Sequence, residues 1–106
     1  MMILLAYIPL IKALIASTQT NGLKWEKGDA YQSYYTYPTN EQKILIDKFF
    51  SLVDGQIIAS LDMAIFKGEE EIIDEIVLCS PMDIENNYRL LESLYSEVEN
   101  QRQGNK

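Results

Sequence analysis

The densest run of ionisable side chains is Glu69, Glu70, Glu71, Asp74 and Glu75. Carboxylates grouped in this way can hold a basic protein surface or a cation. The spacing matches no defined divalent-cation site, so a cationic partner is the stronger functional reading. On a helix, Glu70 and Asp74 lie four apart, as do Glu71 and Glu75. Each pair then repels by a few tenths of a kcal/mol. A run that costs stability is a candidate for retention by function; the plainer reading is a solvated helix face with acids at its positive end.

Trp25, Tyr31, Tyr34, Tyr35 and Tyr37 form a second candidate binding set. Such rings offer large amphipathic area at low entropic cost and recur in interface hot spots. The competing reading buries them, because a short chain needs aromatic area in its core.

Other chemistries are missing. The chain has no histidine and one cysteine, Cys79. Histidine triads, histidine bases and cysteine-rich metal sites therefore have no donors. Cys79 stands in VLCS at the end of an apolar run and reads as a small buried hydrophobe rather than a nucleophile. No phosphate-cradling glycine loop and no EF-hand pattern occurs. Paired carboxylates can do acid–base work, but the sequence singles out no pair beside a substrate-shaping motif. Neither a cofactor nor a metal is expected, and the chain reads as a non-enzyme.

Charge points the same way. The net charge is −7 over 106 residues. Residues 54–99 hold twelve acids against Lys67 and Arg89. Direct nucleic-acid binding is not expected from such a balance. A protein partner with a basic surface is, in the manner of an inhibitor, antitoxin or immunity protein.

The elements that must position these groups read as helices. Thr39 and Gln42 have capping-box spacing, and EQKILIDKFFSLVDG sets Leu45, Phe49, Leu52 and Val53 on one helical face. Asp54-Gly55 between apolar runs gives a competing hairpin signal. QIIASLDMAIFKG reads as a buried helix, and EEEIIDEIVLCS as another with Ile72, Ile73, Ile76 and Val77 on its apolar face. Ser80 as N-cap, Pro81 and Asp83 open a last helix. In it Ile84, Tyr88, Leu91, Tyr95 and Val98 form a heptad seam, which Leu90 and Leu94 widen. Tyr35 and Tyr37 alternate ahead of Pro38, as in a short strand.

The expected fold is all-α, a small bundle of four or five helices with an irregular Tyr-rich connecting segment. Its parts are an apolar N-terminal segment 1–17, a polar and Tyr-rich connector 18–39, a helical domain 40–100 and a polar tail 101–106 that frays. Residues 1–17 are apolar except for Lys12 and Ser17. They read either as a signal or anchor, or as a core element; Lys12 and Pro9 make a membrane span the weakest reading. In the core reading Ile3, Leu4, Tyr7 and Ile8 join Leu45, Phe49 and Leu91. The signal reading carries the alternative function, an exported or membrane-tethered envelope protein whose membrane contact is residues 1–17. It also leaves the compartment open between cytoplasm and periplasm. The seam at Ile84–Val98 leaves homo-oligomerisation open as well.

Overall fold

Two positive backbone angles decide the centre of the chain. Asp54 has φ 50° and Gly55 φ 78°, the pair that a two-residue type I′ hairpin requires. The strands on either side continue without a break. In the computed structural model, which describes residues 4–30, 32–79 and 87–104, β3 (Gln42–Val53) pairs antiparallel with β4 (Gln56–Lys67) in register from Val53↔Gln56 to Gln42↔Lys67. The hairpin alternative is therefore the observed one.

The remaining strands complete a meander. β1 (Glu26–Lys27), β2 (Ser33–Thr39) and β5 (Glu71–Cys79) join them in a five-stranded antiparallel sheet of order β1-β2-β3-β4-β5. Gly68, at φ 67°, turns β4 into β5. The all-α expectation is thus wrong for this chain. Residues 42–53, 56–67 and 71–79 are strands, and Gly68–Glu70 is a turn rather than the start of a helix. The physical reason is composition: isoleucine, valine and phenylalanine make up most of the apolar residues in these runs, and such side chains lose freedom in a helix but pack well on a pleated surface. The dipole and i,i+4 arguments for Glu69–Glu75 fall with the helix. Glu71 instead lies opposite Lys67.

Two helices cover one face of the sheet. In α1 (Leu4–Gln19), Tyr7, Ile11, Leu14 and Thr18 recur at 4, 3, 4 and are buried. The helix runs through Pro9, which is exposed. In α2 (Asn87–Gly104), Tyr88, Leu91, Leu94, Tyr95 and Val98 are buried, so the seam closes against α1 and the sheet within one chain. Ser80, Pro81, Asp83 and Ile84 lie outside the described residues. The sheet supplies Ile44, Ile46, Leu61, Met63, Ile65 and Ile76 to the same core. Of the expected α1 core contacts, Tyr7 and Leu91 are there. Leu45 and Phe49 point from the opposite face of β3, by strand alternation. Ile3 lies outside the described residues. Among the described residues no helix is long and apolar enough to cross a membrane.

The expected fraying of residues 101–106 fails at its first residue. Gln101 is buried on α2 and fastens the connector after α1. Its amide donates to the carbonyls of Leu23 (2.7 Å) and Thr18 (3.3 Å), and its oxygen accepts from the Trp25 N–H (3.0 Å). The Trp25 indole N–H donates to the Thr18 hydroxyl at 2.9 Å, which in turn donates to the Leu14 carbonyl at 2.7 Å. Arg102 adds an exposed ion pair to Glu26 at 3.6 Å, a contact of the kind worth at most about 1 kcal/mol.

Candidate functional site: the uncovered face of the sheet

Strand alternation divides the sheet into two unlike faces. The face away from the helices is built in rows read from the register. Ser33, Asp47, Asp62 and Val77 lie side by side across β2 to β5. The next row is Tyr35, Leu45, Ala64 and Glu75. On one side follow Lys43, Phe66 and Ile72; on the other, Phe49, Ser60 and Cys79. Among the described residues no element packs over this face. Phe49 is 39% exposed, Val77 50% and Ile72 54%. An antiparallel sheet that meets only water normally turns polar residues outwards. This one shows an acidic centre flanked by apolar side chains.

The centre is electrostatically strained. Asp62 is partly buried as the one acid of β4, and one carboxylate oxygen is buried without a hydrogen-bond partner. Burial pushes its pKa up to about 7, helped by the adjacent Glu75 carboxyl and by Asp47. Burial also raises the Asp47 pKa, against the opposing pull of the Lys48 backbone N–H and the Lys27 charge. Burial first, and then the negative charge of the neighbouring Glu75, thus favour the protonated form of Asp62 up to about neutrality. Among the described residues, no group of three His, Cys, Asp or Glu side chains is placed to hold a metal ion.

A recess of about 410 Å³ opens beside the carboxylates. Tyr35, Tyr37, Lys43, Leu45, Asp47 and Glu69 line it, with the loop Gly28–Ala30 as its rim. The Tyr37 hydroxyl donates to Glu69 at 2.8 Å, which lifts its own pKa to about 12. The Tyr35 and Tyr37 rings meet edge to face at 5.7 Å, and the Lys43 ammonium lies 4.9 Å from the Tyr35 ring centroid. The rim holds its shape through the Gly28 N–H donating to the Ser33 carbonyl (2.9 Å) and through the Lys27 ammonium, which donates to the Gly28 and Ala30 carbonyls. A Cβ on Gly28 would strike the Ser33 hydroxyl and turn it away from the Ala30 carbonyl to which it donates at 3.0 Å.

The residues singled out from sequence are dispersed. Tyr35, Tyr37 and Glu69 meet at the recess, and Glu75 joins Asp62. Glu70 and Glu71 are exposed at the β4–β5 turn and the start of β5. Asp74 points to the helix side, near the buried Tyr7 hydroxyl, whose pKa is raised first by burial and then by Asp74. Tyr34 packs on the core with its ring edge to face with Tyr95 at 5.6 Å, and Trp25 is buried. Tyr31 lies outside the described residues. Cys79 is half-buried and accepts a long bond from the Ser60 hydroxyl, 3.5 Å. Sequence reading missed Asp47, Asp62 and Lys43. The available signal was Asp62 itself, a lone acid inside IIASLDMAIF.

Comparison with known protein families, curated proteins and solved structures finds no match to this chain.

The raised carboxyl gives a prediction. Between the ordinary carboxylate range and neutrality the folded chain holds a proton that the unfolded chain releases. Stability is therefore highest at the acid end of that window and is lost as pH rises through about 7. Asp62→Asn should flatten the profile between pH 4 and 8. At pH 8 it should stabilise the fold by about 1–2 kcal/mol, below the full linkage value because the carboxyl is partly solvated. Urea unfolding across this range measures it.

Proposed function

We propose that this protein is a non-enzymatic interaction module whose uncovered sheet face receives a protein partner bearing basic residues, as inhibitors, antitoxins and immunity proteins do. One observation carries the reading: Asp47, Asp62 and Glu75 stand together on a face whose flanks, Phe49, Ile72 and Val77, are apolar and exposed. Exposed apolar side chains grouped on one face in this way mark interaction surfaces. An acidic centre inside it selects for lysine or arginine and repels acidic competitors. A cation seated beside Asp62 and Glu75 stabilises the ionised form of Asp62 and favours loss of its proton. The Tyr35–Tyr37 recess beside it accepts a side chain that carries both an apolar stem and a charged head, and arginine fits that description.

The test is salt. Binding of the partner captured from the native cell should weaken at least tenfold between about 50 and 500 mM salt, because charges separated by more than a few ångströms are screened over that range. Affinity that stays constant across it removes the electrostatic basis of the proposal.

A further inference from the structure

β3 and β4 are longer than the sheet they belong to. On one side β2 ends its pairing at Ser33↔Asp47, with one more bond from the Lys48 N–H to the Gln32 carbonyl. On the other, the described part of β5 reaches Cys79↔Ser60. Among the described residues, the hairpin from Phe49 to Ala59 therefore projects as a two-stranded arm. Such an arm is marginal in water on its own. This one is also apolar on both faces: Leu52 is 74% and Ile57 76% exposed, and Phe49, Phe50 and Val53 are exposed too.

The geometry points to a second copy of this chain as the occupant, joined by antiparallel pairing of the outer β3 edge, residues 49–53, about a two-fold axis at Ser51. Four observations converge on that occupant and register. Since the Lys48 N–H points outward to Gln32, the backbone groups of Phe50 and Leu52 point outward as well, by alternation. Centring on Ser51 places Phe50 opposite Leu52 of the other copy, so these groups exchange four hydrogen bonds. The free edge is five residues long, and this register fills it, ending where Gln32 already occupies Lys48. The side chains match: Phe50 meets Leu52 on one face, and Phe49 meets Val53 on the other.

Charge supplies the last argument. A chain of net charge −7 repels its copies across most of its surface. Neither Phe49–Val53 nor Gly55–Leu61 contains a charged residue. Where the paired edge ends, at the Gln32 that holds the Lys48 N–H, the nearest charges are of opposite sign, Asp54 of one copy and Lys48 of the other. The Lys48 ammonium is already at this margin, 5.9 Å from the Phe50 ring centroid. β5, the other long edge strand, makes no comparable pair with itself. Antiparallel self-pairing centred on it sets Glu75 against Glu75 or Asp74.

Sedimentation equilibrium of the full chain should show a monomer–dimer equilibrium, and Leu52→Lys should weaken it at least tenfold. Leu52 is exposed at the tip, so this change leaves the fold intact by circular dichroism. Register is read by cross-linking in a Cys79→Ser background. Ser51→Cys should form an intermolecular disulfide on mild oxidation, because Ser51 faces its own copy in a non-hydrogen-bonded pair. Leu52→Cys, which faces Phe50, should form it at least tenfold more slowly. A chain that remains monomeric at millimolar concentration overturns the inference, as does equal cross-linking at both positions. Neither result tests the carboxylates Asp47, Asp62 and Glu75 of the partner surface, which lie outside the paired edge; Phe49 is common to both surfaces.

Discussion

Trp25→Ala is expected to destabilise the fold by about 3–5 kcal/mol, the range for emptying a buried tryptophan site. Trp25 is 1% exposed and belongs to the core cluster shared by both helices and the sheet. Truncation removes the ring and leaves the Thr18 hydroxyl oxygen without its indole donor. It also loosens the connector that Gln101 fastens to α2. A domain of this size has about 5–15 kcal/mol in total, so the loss is a large share of it. Trp25 is the sole tryptophan; the unfolding midpoint in urea must therefore be followed by circular dichroism. Trp25→Phe should recover part of the loss. A cost below about 1 kcal/mol for the alanine variant would mean that the connector is not part of the core.

The largest functional effect is expected from Glu75→Lys combined with Val77→Asp. Both side chains are exposed on β5, so neither change empties a core position. The first replaces an attractive contact with a repulsive one beside Asp62. The second removes an apolar flank. Together they should weaken partner binding by a factor of about 100, the scale of losing one or two hot-spot contacts. Unfolding by urea should stay within about 1 kcal/mol of the parent at acid pH, where Asp62 is protonated and gains little from a new cation. Matched variants on the helical face, such as Lys12→Glu on α1, should leave binding nearly unchanged.

What could be read from the sequence followed from where its signals were unmixed. The seam Tyr88, Leu91, Tyr95 and Val98 is the buried stripe of α2, and the tyrosine alternation marks β2. Asp54-Gly55 named its own turn. β3, β4 and β5 failed for one physical cause. Strands are legible through alternation of apolar and polar residues, and the uncovered face carries Leu45, Phe49, Phe66, Ile72 and Val77 where water-facing residues were expected. That filling erased the period of two and left spacings that imitate a helix. The feature that hid the fold is therefore the same feature that identifies the candidate site. The acidic cluster Glu69–Glu75 was visible as composition, but its grouping was not, since a strand sends Asp74 and Glu75 to opposite faces. Asp47 and Asp62 lie fifteen residues apart and meet only through the β3–β4 register.

The most direct measurement of the central claim is the footprint of the captured partner on the methyl groups of the labelled protein, read by NMR chemical shifts. On binding, Leu45, Ile72 and Val77 are expected to shift while Ile8 and Ile15 of α1 and Leu90 of α2 hold their positions. Shifts confined to the helix methyls, with Leu45, Ile72 and Val77 unmoved, would contradict it.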